Sequence, residues 1–96
     1  MDLNQALGRA LRHVRKKKGL TQEDFEPITS RSYISKVEGG YHLPTLDKTV
    51  EICDRMGVSP SLLLSLTFLI ANESEDVSGL LDRLKGELDA IGIPRK

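Results

Sequence analysis

Helix starts and helix stops cut this chain into short pieces, and that punctuation limits the fold more than any other feature. Side chains that cap a helix N-terminus recur at Thr21, Ser30, Thr45, Ser59 and Ser74-Glu75-Asp76. Glycines that end a helix recur at Gly19, Gly39-Gly40, Gly57 and Gly92. Between these marks the apolar residues follow helical spacing, and no sustained alternating run of Val, Ile, Thr and Tyr appears. The chain of 96 residues therefore reads as all-α: one small domain with an appended C-terminal element.

The first helix is expected over 3–17. Leu7, Leu11 and Val14 form its buried stripe with Ala6 and Ala10 alongside. Arg9, Arg12, His13, Arg15, Lys16, Lys17 and Lys18 cover the rest, and cations in the last turn suit the helix dipole. Gly19 ends the helix and Leu20 returns to the core. Thr21-Gln22-Glu23-Asp24 opens a second helix, with Phe25 and Ile28 as core residues, which Pro27 keeps short. Beyond the Ser30–Gly40 segment, Thr45 caps a helix whose stripe is Leu46, Val50 and Cys53, flanked by Thr49, Ile52 and Met56.

Ser59-Pro60 opens the next helix, which is apolar on nearly every side from Leu62 to Ile70 and needs cover all round. The last helix carries Val77, Leu80, Leu81, Leu84, Leu88 and Ile91 at heptad-like spacing, with Gly79 and Gly86 weakening it in isolation. Its stripe wants a partner, either the preceding helix of its own chain or the same element of a second chain. Gly92 and Pro94 close the ordered part, and Arg95 and Lys96 are expected to be loose.

Net charge is zero, but it is unevenly spread. Residues 1–44 hold eight Lys/Arg against five Asp/Glu, a net +3, and residues 45–96 hold six against nine, a net −3. A basic front and an acidic back suit a polyanion-binding surface on a differently charged scaffold. Cys53 is the only cysteine, which rules out an intramolecular disulfide, and its place on an apolar face reads as a small buried thiol. His13 and His42 lack a carboxylate or cysteine partner, and no phosphate-binding glycine loop or metal-ligand spacing appears. No enzyme activity, cofactor or metal is expected. The N-terminus shows no signal peptide and Ser59–Ala71 is too short to cross a bilayer, so a cytoplasmic protein is expected.

Ser30 to Gly40 is the segment with chemistry to offer. Ile34 and Val37 can dock on a core, while Arg31, Ser32, Ser35 and Lys36 fall on the other faces. Short polar residues and two cations beside Tyr33 are the side chains that read base edges and phosphates.

From Leu7 to Leu64 the chain resembles the DNA-binding domain of the phage-repressor family, the Cro-like or XRE (lambda-repressor-like) class of helix-turn-helix proteins. Gly19-Leu20-Thr21-Gln22-Glu23 is similar to the opening of that family's second helix. Ser30 through Glu38, with Gly40, is similar to its recognition helix and exit. Pro44-Thr45-Leu46, Met56-Gly57-Val58-Ser59 and Leu63-Leu64 complete the pattern. Between Thr21 and Glu38 the chain is shorter than the family pattern. Glu26-Pro27 stands where a small residue and a turn glycine are usual, so the angle between the two helices is open.

The resemblance implies a five-helix unit over 1–72, with the helix-turn-helix at about 21–39, and a C-terminal dimerisation helix and tail over 73–96. It implies that Gln22 holds a phosphate, that Arg31, Ser32 and Lys36 face base edges, and that Ser30, capping the helix head, belongs to the DNA-binding set. Tyr33 and Ser35 would reach a thymine methyl or a phosphate, and Tyr41 and His42 the DNA backbone. Arg15 and Glu38 would form a structural ion pair between the first and recognition helices. The implied function is a homodimeric, sequence-specific regulator of bacterial or phage origin, a repressor or controller reading a palindromic operator in double-stranded DNA. A protein-interaction module on the same fold, such as part of an antitoxin or phage-regulatory complex, is the alternative.

Overall fold

Asp2 starts α1 (Leu3–Lys17), its carboxylate accepting the Gln5 N–H at 2.8 Å. A computed structural model describes residues 1–95, so the expected looseness of Lys96 lies outside the described residues. After α1 comes a 3-10 turn (Gln22–Phe25), then α2 (Arg31–Glu38), α3 (Leu46–Met56), α4 (Pro60–Ala71) and α5 (Val77–Ile91). The fold is all-α, as expected. Thr21, Ser30, Thr45, Ser59 and Asp76 are the caps, each accepting a backbone N–H from the first turn it opens.

The second helix is not an α-helix. A further α-turn would need the N–H of residue 27 to reach the Glu23 carbonyl, and Pro27 has none. Glu23 accepts from Glu26 N–H at 3.0 Å instead, which is the tighter 3-10 pattern. Ile28 and Thr29 then both donate to Phe25 O at 2.9 Å, turning the chain toward Ser30.

Leu7, Ala10, Leu11 and Val14 of α1 face Phe25, Ile34, Val37, Ile52, Cys53, Met56 and Leu63 in one buried core. Two hydroxyls in this core are satisfied within their helices: Thr67 Oγ1 donates to Leu63 O at 2.7 Å and Thr49 Oγ1 to Thr45 O at 2.9 Å. One expected stripe is corrected. On α3 the buried face is Thr49, Ile52, Cys53 and Met56, while Leu46 and Val50 are exposed. Thr49 can turn inward because its hydroxyl bonds back to the previous turn, and that rotates the apolar alternative outward.

α5 packs on α4 of its own chain, with Leu80 buried and Leu84 half-buried in a groove also lined by Leu64 and Phe68. Val77, Leu81, Leu88 and Ile91 remain exposed. Among the described residues no single helix is long and apolar enough to cross a membrane.

Gly8 sets how closely α1 approaches α2. A Cβ there would stand 2.5 Å from the Val37 carbonyl oxygen and 2.6 Å from that of Glu38, so only a hydrogen fits between the two backbones. Gly86 is its opposite, mid-helix with nothing within 4 Å of an added Cβ. Gly8→Ala is expected to lower stability by about 2–3 kcal/mol through overpacking against fixed carbonyls. Gly86→Ala should raise it by about 0.5–1 kcal/mol from backbone entropy alone. Thermal denaturation followed by circular dichroism separates the two signs.

Candidate nucleic-acid interface

α2 is two turns long and is held from both ends. At its head, Ser30 Oγ accepts the Tyr33 N–H at 3.1 Å and lies 3.2 Å from Ser32 Oγ. At its foot, Gly39 N–H donates to Ser35 O at 2.9 Å, and Gly40 adopts the left-handed φ of 82° that turns the chain into the loop. Ile34 and Val37 are fully buried beneath. What remains outward is Arg31 with Ser35 and Ser32 with Lys36, two i, i+4 pairs forming one polar strip.

The foot of α2 is also pinned by charge. Glu38 accepts from Arg15 Nε at 2.6 Å and Arg15 Nη2 at 2.9 Å, with the two side chains only 9% and 5% exposed. Arg15 Nη1 reaches the Leu20 carbonyl at 2.9 Å, which leaves the guanidinium with partners on three sides. Its hydrogen bond to Glu38 holds the Arg15 guanidinium above its ordinary range against the cost of burial, so the guanidinium stays charged.

Gln22 belongs to this network. Its Nε2 donates to Glu38 Oε1 at 3.1 Å, joining the start of the 3-10 turn to the end of α2. An amide nitrogen has a second N–H, which that bond leaves for a further acceptor. Above it, Thr21 and Asp24 form a capping box: Thr21 N–H donates to Asp24 Oδ2 at 2.7 Å, and Asp24 N–H to Thr21 Oγ1 at 3.3 Å. Hydrogen bonds from Thr21, its backbone N–H first and then its hydroxyl, hold the Asp24 carboxyl below its ordinary value of 3.8.

Two cations of α3 complete the support. Lys48 Nζ donates to Ile28 O at 3.2 Å and Arg55 Nε to Asp24 O at 2.9 Å, covering carbonyls that the short turn leaves unpaired. In the sequence both look like ordinary solvated charges, and nothing there marks their reach. Gly8 did carry a signal: a glycine inside a helix costs stability and asks for a reason.

The nine residues expected at the interface fall in one neighbourhood. Ser30, Arg31, Ser32, Ser35 and Lys36 are exposed on α2 or its cap, and Lys36 has no ion-pair partner among the described residues. Arg31 Nε lies 2.6 Å from Glu23 Oε1, but both side chains are more than half exposed, so the pair is weak and exchangeable. Tyr33 is half-buried, its ring edge-on to His42 with centroids 5.0 Å apart, and burial pushes its phenol pKa up. Tyr41 is 85% exposed, with its ring over Gly39. The loop after α2 thus folds back on that helix, Tyr41 at its C-cap and His42 against Tyr33.

A compact core presenting a capped polar helix after a short turn is a recognised arrangement, and comparison with known proteins identifies it. Residues 6–66 match the family described as helix-turn-helix domain. The chain belongs to that family. It is also 35% identical, over 69 residues, to the Sinorhizobium fredii (strain NBRC 101917 / NGR234) protein named "Uncharacterized HTH-type transcriptional regulator y4dJ". That match covers 70% of this chain and 90% of the relative. The family match runs from within α1 to within α4 and takes in every residue of the buried core, Leu7 to Leu63.

Two outcomes follow from the support network. Glu38→Ala strands the Arg15 guanidinium and is expected to cost about 3–5 kcal/mol, measured by urea denaturation. Asp24 has a lowered folded pKa, so its contribution is full above the unfolded value and is lost as pH falls through the folded one. Asp24→Asn should therefore flatten the acid limb of a melting-temperature profile below about pH 4 and change its neutral plateau only modestly.

Proposed function

We propose that this protein is a sequence-specific DNA-binding transcriptional regulator, acting as a homodimer and repressing or controlling a small set of genes through a palindromic operator. The observation that carries the reading is the outward strip of α2. Arg31, Ser32, Ser35 and Lys36 contain no apolar side chain, although α2 is anchored by two fully buried residues on its other side. In a helix-turn-helix domain the second helix enters the major groove, and its exposed side chains meet base edges.

In this reading Arg31 exchanges Glu23 for a guanine edge or a phosphate, and Lys36 serves the same chemistry one turn on. Ser32 and Ser35 are short enough to let the backbone come close. Gln22 offers its second amide N–H to a phosphate while its first stays on Glu38, so phosphate contact and scaffold would be one residue's work. Tyr41 and His42 flank the strip and would position the DNA backbone. The name of the Sinorhizobium relative, a transcriptional regulator, supports the same class. A helix of this length spans only about 12 Å, so it reads a few base pairs, and a second domain about 34 Å away multiplies the discrimination. Residues 1–72 would be the reading unit and the α5 region the dimer element, which fits the resemblance to Cro-like and XRE-type repressors.

Selection from random duplexes at two salt concentrations tests this. Enrichment of a two-fold symmetric site whose affinity falls steeply with salt is the expected result. The double variant Arg31→Glu/Lys36→Glu should lose at least about a hundredfold in affinity for that site while melting like the native chain. No enrichment by a folded sample would sink the operator-reading claim and turn attention to protein partners.

A further inference from the structure

Two groups stand out among the cations of this chain. Arg15, Arg31, Lys48, Arg83 and Lys85 each lie within 4.0 Å of an acid. Arg9, Arg12, Lys16, Lys17 and Lys18, all on α1 or its C-cap, have no such partner among the described residues. The densest run of unpaired positive charge is therefore on α1, and α2 offers only Lys36. Arg9, Arg12, His13 and Lys16 recur at i, i+3, i+4 and i+7, forming one wall of an open groove of about 550 Å³. The other wall is apolar, Leu66 and Ile70 of α4. A phosphate backbone gains nothing from such a wall. An amphipathic helix with acids beside an apolar ridge fits both walls.

The chain contains one such helix. α5 turns Leu80 and Leu84 toward α4 and leaves Leu88 51% and Ile91 80% exposed, with Glu87 and Asp89 on either side of Leu88. Residues 73–91 carry six acids against two bases, a net −4. In a dimer, α5 against α5 would bring two −4 segments together. α5 against the α1–α4 groove of a second copy would instead set those acids on unpaired cations. Two-fold symmetry then repeats the contact, covering both ridges and both grooves. Leu62, Leu66 and Leu69, at i, i+4 and i+7 on α4, offer the crossing helix an apolar track.

We infer that the dimer is reciprocal. α5 of each copy lies in the α1–α4 groove of the other, with Leu88 and Ile91 on Leu66 and Ile70, and Glu87 and Asp89 toward Arg12 and Lys16. The Lys85–Asp89 and Arg83–Glu87 pairs are exposed and exchange readily for these. The inference rests on the dimeric reading above and adds which surfaces make it.

Sedimentation equilibrium of the full chain, with folding checked by circular dichroism, provides the test. Arg12→Glu/Lys16→Glu should raise the dimer dissociation constant at least about tenfold, and Glu87→Lys/Asp89→Lys should do the same. Mixed together, the two variants should form a heterodimer tighter than either homodimer, because each interface then pairs opposite charges again. A second measurement is independent of charge reversal: a copy with Arg12→Cys should form a disulfide with a copy bearing Asp89→Cys. Cys53 stays out of this reaction, being buried with its thiol pKa pushed up by burial. A dimer indifferent to both reversals, or one whose Leu88→Cys copies link to each other, overturns the reciprocal arrangement and leaves the dimeric reading standing. A native chain that is monomeric overturns both.

Discussion

The Arg15–Glu38 pair is the constraint on which the position of α2 depends. It is nearly dry, and a charge taken out of water without a partner costs several kcal/mol, so the two residues have little choice but to meet. Meeting fixes three things together. Arg15 belongs to α1, its Nη1 holds the Leu20 carbonyl at the entrance to the turn, and Glu38 ends α2. Gln22 adds the start of the 3-10 turn through Glu38 Oε1. Such a pair contributes geometry more than net stability, because an apolar replacement of the same shape could be as stable and would aim nothing.

Around this pin the remaining contacts compensate for a short chain. The 3-10 turn exposes carbonyls that a longer helix would have used internally, and Lys48 and Arg55 of α3 supply the missing donors. Gly8 lets α1 lie against the Val37 and Glu38 carbonyls, which brings Arg15, two turns further on, within reach of Glu38. The shortened turn is tolerated because three other elements close on it.

Helix starts were legible because their cause is local. Thr21, Ser30, Thr45 and Ser59 each bond an amide within their own first turn, and the sequence alone displays that arrangement. The α1 stripe was legible for the same reason, and the Arg15–Glu38 pair through the family resemblance. What the sequence hid depends on distant partners. Lys48 reaches Ile28 and Arg55 reaches Asp24 across many residues, with no period to announce it. Leu46 and Val50 misled because periodicity alone does not choose between two adjacent stripes, and a threonine that bonds to its own helix turned out to be the buried one. Pro27 marked where the second helix had to end but not that it would tighten into 3-10 form.

The way α2 is held has an evolutionary consequence. Its attachments run through Ile34, Val37, Glu38 and the caps at its two ends, and the outward strip adds only two exposed side-chain contacts, Arg31 with Glu23 and Ser32 with the Ser30 hydroxyl. Mutations in Ser32, Ser35 or Lys36 therefore meet little selection from folding. A lineage carrying this scaffold can drift from one target to another by single steps, each intermediate still a folded protein, while the residues that aim the helix stay under constraint.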